Sequence, residues 1–133
     1  MRGYKFSTEL RALRKRFSAE HNLETKYIRA RYNNIRPVNI ILEHSLRNLK
    51  AEERREIRLG ILSLWTGEHV RSSYDLTIYQ CSTILDFLEY DSYAYTVGER
   101  AQRFLEDSKK QVESGNLLPA VKPKFTVLEE APF

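Results

Sequence analysis

The sequence predicts an all-α protein, with a single-domain bundle of about four to six helices in residues 1–115 and an extended tail in residues 116–133. The 133 residues are a common length for one domain with its own core. Five Gly and four Pro are few turn residues for such a chain, which favours long helices over many short strands. Apolar residues also recur at spacings of three and four, the period of helices with one buried face.

The first helix is predicted near the N-terminus, where Ser7 or Thr8 can cap it and Leu10, Leu13 and Phe17 form its buried stripe. The apolar residues that follow no longer lie on the same helical face. A new stripe indicates either a second helix or a bent continuation, which we expect to end at the segment before Pro37. Its members are Leu23, Tyr27, Ile28 and Tyr32.

Pro37 is predicted in the first turn of the next helix, because its fixed backbone angle suits that position. The buried stripe of this helix is Val38, Ile41, Leu42, Leu46 and Leu49. The acids that follow Ala51 favour a fresh helix start there, although the preceding helix could also run straight on. Gly67 is the expected end, and Gly60 inside the helix indicates close packing.

Two further helices are predicted from capping patterns. Ser72 and Asp75 resemble a capping box ahead of a helix whose buried stripe includes Ile78, Cys81 and Leu85. The alternative is a β-hairpin, since apolar residues alternate with period two in 74–78 and 93–97. The last helix, over 97–113, is expected to start at a capping box of Thr96 and Glu99 and to end at Gly115.

The net charge of +4 is unevenly distributed. Residues 1–58 hold 15 Lys and Arg against 7 Asp and Glu, a net charge of +8. Residues 59–133 hold 7 Lys and Arg against 11 Asp and Glu, a net charge of −4. A polyanion should therefore meet one attractive end of the molecule and one indifferent or repulsive end.

The sequence indicates an intracellular, cytoplasmic protein that does not bind membranes. It has no apolar run of the roughly 18–20 residues that a spanning helix needs, and no apolar run of a secretory signal follows Met1. The alternative is a mitochondrial presequence, because residues 2–18 are basic and amphipathic.

Signals for catalysis are nearly absent. The three histidines, His21, His44 and His69, are too far apart for ligands on one helix, where a spacing of three or four is needed. Cys81 lies on a predicted buried stripe, so we interpret it as a small core residue rather than a nucleophile. We expect no enzyme activity, no cofactor and no metal.

The basic positions carry the functional hypothesis. Most are arginines, whose planar guanidinium suits phosphates and can stack on bases. Tyr4, Tyr27 and Tyr32 are interleaved with them as stacking platforms, although the latter two could equally be core residues. The predicted phosphate contacts are Arg11, Arg14, Lys15, Arg29, Arg36, Arg47, Arg54, Arg55 and Arg58, together with Tyr4.

The last five residues, Glu-Glu-Ala-Pro-Phe, resemble the acidic C-terminal tip of bacterial single-stranded-DNA-binding proteins. The resemblance covers 5 of 133 residues, with two acids where that family usually has three or more and Ala where Ile is usual. It implies that a partner protein captures Glu129, Glu130, Pro132 and Phe133. The alternatives are a frayed terminus or a strand packed on the chain's own bundle.

The sequence thus predicts a non-catalytic accessory protein of replication, recombination or transcription, of the size that phages and plasmids encode. Its partners would be nucleic acid and a protein of a nucleoprotein complex, and self-association of the chain stays open. The alternative is a helical adaptor or assembly subunit whose basic face binds an acidic protein surface.

Overall fold

The structure is a computed structural model that describes residues 4–18, 27–115 and 122–123. The described residues form five α-helices, and the prediction of an all-α bundle is confirmed. The helices are α1 (Phe6–Phe17), α2 (Tyr32–Ser45), α3 (Ala51–Thr66), α4 (Ile78–Phe87) and α5 (Glu99–Glu113).

The core lies where these helices meet. α1 packs against α3, α4 and α5, while α2 lies mainly against α4 and α3 mainly against α5. At the centre, the rings of Trp65 and Phe104 stack with centroids 5.5 Å apart, and both side chains are fully buried. Phe6 and Phe87 add two more aromatic contacts to Phe104. This aromatic cluster joins helices that are distant in sequence.

Within the described residues, β-structure is limited to a two-residue parallel pairing of β1 (Glu68–His69) with β2 (Lys122–Pro123) and two isolated bridges. The alternative hairpin does not form. Its first half is a short 3-10 helix, Ser73–Asp75, followed by α4. Its second half is a tight turn closed by backbone pairing of Asp91 with Thr96.

The N-terminal helix predictions need two corrections. Ser7 and Thr8 lie inside α1, whose N-cap is Lys5. Of the predicted second stripe, Leu23 lies outside the described residues, while Tyr27 and Ile28 are exposed and not helical.

The helix predicted to start at Pro37 instead begins at Tyr32, with Pro37 inside it. Asn34 acts as an N-terminal cap: its side-chain oxygen accepts a hydrogen bond from Arg31 N at 2.9 Å. Proline removes the hydrogen bond to the residue four positions earlier, which is Asn33. Because Asn33 is exposed in the first turn, water can satisfy its carbonyl group.

The starts of α4 and α5 were also predicted wrongly. Ser72 caps the 3-10 helix, whereas α4 is capped by Thr77 and Gln80, each side chain accepting from the other's backbone N–H. The cap of α5 is Gly98, without a side-chain hydrogen bond.

Burial in α4 is partly as predicted. Cys81 and Leu88, both on the predicted stripe, are each 1% exposed. Ile78 and Leu85 are only half-buried, whereas Ile84 and Phe87 are buried. Burial raises the pKa of the Cys81 thiol to about 12, which makes it a poor nucleophile.

The predictions for α3 are confirmed. It starts at Ala51 rather than continuing α2, and it ends at Gly67, whose φ of 73° is left-handed. Gly60 marks close packing, because a Cβ at this position would lie 2.6 Å from Val112 Cγ1. This close approach sets the separation of α3 and α5.

Candidate functional site

Arg14 has a structural role in the bundle. Its guanidinium Nε donates to the carbonyl oxygen of Leu64 at 3.1 Å, and Nη2 donates to the same oxygen. Leu64 lies in the last turn of α3, where carbonyl groups lack partners within the helix. A cation there also favours the helix dipole. Burial lowers the pKa of Arg14 from its usual value, which reflects the loss of water around it.

Arg54 and Arg58 share one carboxylate, that of Glu43. Arg54 Nε lies 2.9 Å from Glu43 Oε1, and Arg58 Nη1 lies 2.5 Å from Glu43 Oε2. Arg54 also donates to the carbonyl oxygen of Leu49 at 2.6 Å. These contacts connect the end of α2 to α3. Both arginines are therefore already engaged in an ion pair within the bundle.

The three other predicted positions, Arg29, Arg55 and Tyr4, differ in their surroundings. Arg29 Nη1 is 3.7 Å from Asp75 Oδ1. Arg55 is exposed within a helix start that also carries Glu52 and Glu56. Tyr4 is half-buried, with the Arg103 guanidinium 5.9 Å from its ring centroid. Burial and then the charge of Asp107 raise the pKa of the Tyr4 phenol.

Arg14 and Arg29 line a cleft of about 520 Å³ near the end of α1. The carboxylates of Glu68 and Asp75 line the same cleft. Its acids therefore offset its two arginines, and a polyanion gains little there.

Five predicted cations are exposed and form no ion pair in the part of the chain that the structure describes. Arg55 is one of them and lies among the acids of α3, and the other four lie on two faces. Arg11 and Lys15 are four residues apart on the outer face of α1, where neither lines one of the clefts described here. Arg36 and Arg47 lie along α2 and its following turn, and each lines a cleft.

We call these two adjoining clefts the α2 groove. One has a volume of about 440 Å³ and the other about 530 Å³, and they share Ile40 and Tyr95. The first is lined in part by Arg36, Pro37, Leu85 and Tyr90. The second is lined in part by His44, Arg47, Gln102 and Glu106.

The groove follows the helix because its α2 residues share one face. Arg36, Ile40 and His44 are spaced by four residues each, which places them in one row, and Arg47 lies in the turn that follows the helix. At a rise of ~1.5 Å per residue, the row from Arg36 to His44 is about 12 Å long. The groove is thus an elongated site with a cation towards each end.

The charges in the groove favour an anion. Arg36 and Arg47 are the arginines that line the groove, and its one acidic lining residue is the exposed Glu106. Arg47 donates to the carbonyl oxygen of His44 at 2.8 Å, which holds its side chain beside the groove. Glu43 is already occupied by Arg54 and Arg58.

The opposite wall is the turn 91–96, which sequence reasoning missed as a site. Tyr93 is 95% exposed and Tyr95 is 64% exposed, and the sequence pointed to them only as strand residues of the alternative hairpin. The missed signal is Asp91 followed by Ser, a pattern that favours a turn closed by the aspartate side chain.

The predicted partner-binding residues Glu129, Glu130, Pro132 and Phe133 lie outside the described residues. In the described part of the chain, no cluster of His, Cys, Asp and Glu could hold a metal ion. None of the helices described there is long and apolar enough to span a bilayer. Comparison with protein-family models, curated protein sequences and solved structures finds no match to this chain.

Proposed function

We propose that this chain is a non-catalytic nucleic-acid-binding accessory protein of replication, recombination or transcription that holds phosphates in the α2 groove. One observation carries the proposal: Arg36 and Arg47 are exposed, form no ion pair within the described residues, and line two adjoining clefts that share the exposed Tyr95. Guanidinium groups bind phosphate oxygens bidentately, and aromatic rings offer stacking surfaces for bases.

The combination of groups favours nucleic acid over an acidic protein surface. Carboxylates of a protein partner would also pair with Arg36 and Arg47, but they would leave Tyr95 and the half-buried Ile40 without a matching surface. A polynucleotide supplies phosphates and flat apolar bases at regular intervals along one chain. It therefore matches both components of an elongated groove.

The proposal is tested by removing equal charge from the two exposed basic faces. One variant is Arg36→Gln with Arg47→Gln, and the matched control is Arg11→Gln with Lys15→Gln on α1. Binding to fluorescent oligonucleotides is measured by anisotropy across a series of salt concentrations. All four side chains are exposed, and Arg47 also donates to the His44 carbonyl oxygen. We therefore expect the α1 variant to unfold within about 0.5 kcal/mol of the natural chain and the α2 variant within about 1 kcal/mol, because an exposed hydrogen bond contributes little.

We expect the α2 variant to bind at least about tenfold more weakly, and the α1 variant to change much less. For single strands, the slope of log K against log salt should fall by about 0.7 for each lost phosphate contact, which makes about 1.4 for the pair. If the α1 variant loses more affinity than the α2 variant, the α2 groove is the wrong site. If the natural chain binds an acidic polypeptide but no oligonucleotide, the adaptor hypothesis replaces this one.

A further inference from the structure

The turn 91–96 is held rigidly by its own hydrogen bonds. The carboxylate oxygen Oδ1 of Asp91 accepts from the backbone N–H groups of Tyr93 and Ala94 at 2.9 and 3.2 Å. The Asp91 backbone also accepts from Tyr95 N at 2.7 Å and donates to Thr96 O at 2.8 Å. A turn closed in this way loses little conformational entropy when a ligand binds.

Two tyrosines are presented by this turn. Tyr93 is 95% exposed and does not itself line either cleft, but in sequence it lies between Ser92 and Tyr95, which do. Tyr95 has a φ of 57°, a left-handed conformation that is unfavourable for a bulky side chain. Strain of this kind persists where the surrounding contacts impose it, and it is concentrated at binding sites.

We infer that the α2 groove takes an unpaired polynucleotide strand, with bases stacked on Tyr93 and Tyr95 and phosphates held by Arg36 and Arg47. This inference rests on the proposed function and adds the class of nucleic acid. Tyr95 lines both clefts, so a base stacked on it would lie between the phosphates that the two arginines hold.

A duplex cannot use the same contacts. Its bases are stacked on one another, and exposing their faces costs unpairing energy. A duplex would therefore meet only the two arginines, whereas an unpaired strand would also gain a stacking contact at each tyrosine. The expected order of affinity is unpaired strand first, then duplex.

The experiment uses the full chain and oligonucleotides of about ten residues, within the usual size range of single-strand sites. The ligands are a DNA strand, an RNA strand, the DNA duplex of the same sequence, and the DNA strand with abasic sites in place of its bases. The variants are Tyr93→Ala, Tyr95→Gly and the control Tyr93→Phe, which keeps the ring. Glycine is chosen at 95 because it tolerates the positive φ, so the turn is preserved when the ring is lost.

We expect the unpaired strand to bind at least about fivefold more tightly than the duplex and the abasic strand, and Tyr93→Phe to keep this preference. Tyr93→Ala and Tyr95→Gly should each weaken strand binding by about fivefold to a hundredfold, with little change for the duplex or the abasic strand. Comparison of the DNA and RNA strands identifies which of the two is preferred.

The inference is overturned if the abasic strand binds as tightly as the natural strand, or if the tyrosine variants weaken every ligand equally. It is also overturned if the duplex binds better. These outcomes leave the proposed function intact, provided that binding still depends on Arg36 and Arg47. If no ligand binds, or if binding is unaffected by Arg36→Gln with Arg47→Gln, the proposed function itself is wrong.

Discussion

The indole Nε1 of Trp65 donates a hydrogen bond to Ser108 Oγ at 2.8 Å in the interior of the bundle. Ser108 in turn donates to the Phe104 carbonyl oxygen at 2.7 Å, and the Trp65 and Ser108 side chains are both fully buried. This pair joins the end of α3 to the middle of α5. It satisfies the polar atom of the largest side chain in the core, so the indole can be buried completely.

Ser108→Ala should therefore destabilise the protein by about 1–3 kcal/mol, because it leaves a buried indole N–H without an acceptor. Ser82→Ala is the matched control, since Ser82 is exposed on α4 and should change stability by less than about 0.5 kcal/mol. Urea unfolding followed by circular dichroism measures both. Equal stability of the two variants would show that the hydrogen bond contributes nothing.

Gly60→Ala should also destabilise the protein, although alanine is the better helix former. The new methyl group would meet Val112 Cγ1 at 2.6 Å, and overpacking of this kind costs about 1–3 kcal/mol. In a Val112→Ala background the same substitution should instead stabilise α3 by up to about 1 kcal/mol. A stabilising effect of equal size in both backgrounds would contradict close packing at this position.

Arg14→Gln should lower stability by about 1–2 kcal/mol, because Arg14 satisfies the Leu64 carbonyl oxygen at the end of α3. Arg11→Gln provides the control on the exposed face of the same helix, with an expected change below about 0.5 kcal/mol. Thermal unfolding at low and high salt distinguishes the two positions. A loss at Arg11 as large as that at Arg14 would contradict the structural role of Arg14.

Stability should fall with rising pH through Cys81. Burial raises the pKa of its thiol from 9.0 to about 12, so above pH 9 the unfolded chain loses a proton that the folded chain keeps. Below pH 9 both states are protonated and Cys81 makes no pH-dependent contribution. The urea midpoint of the natural chain should therefore decrease relative to Cys81→Ala between about pH 9 and pH 11. A difference that is independent of pH would contradict this.

Much of the bundle follows from apolar periodicity. α1, α3 and α5 each bury one clear stripe, so spacing alone predicts them. The start of α2 could not be read in the same way, because Pro37 normally marks a first turn whereas here it lies inside the helix. That outcome depends on the Asn34 cap and the exposure of Asn33, which are properties of the folded chain.

The ion pairing of the basic residues could not be predicted from the sequence either. Their number in residues 1–58 is visible in the sequence, but which of them are paired is not. Glu43 engages two arginines 11 and 15 positions away, and Arg14 reaches a carbonyl group 50 positions away. The α2 groove likewise depends on the packing of the bundle, which places Tyr95 in the same clefts as Arg36 and Arg47.

The most direct measurement is an amide chemical-shift map of the isotope-labelled chain during titration with an unpaired oligonucleotide. If the α2 groove is the binding site, the largest changes will fall on the turn 91–96 and on the lining residues Arg36, Ile40, His44 and Arg47. The outer face of α1, with Arg11 and Lys15, will change little. Saturable changes confined to α1, or none at all, would contradict binding in the α2 groove.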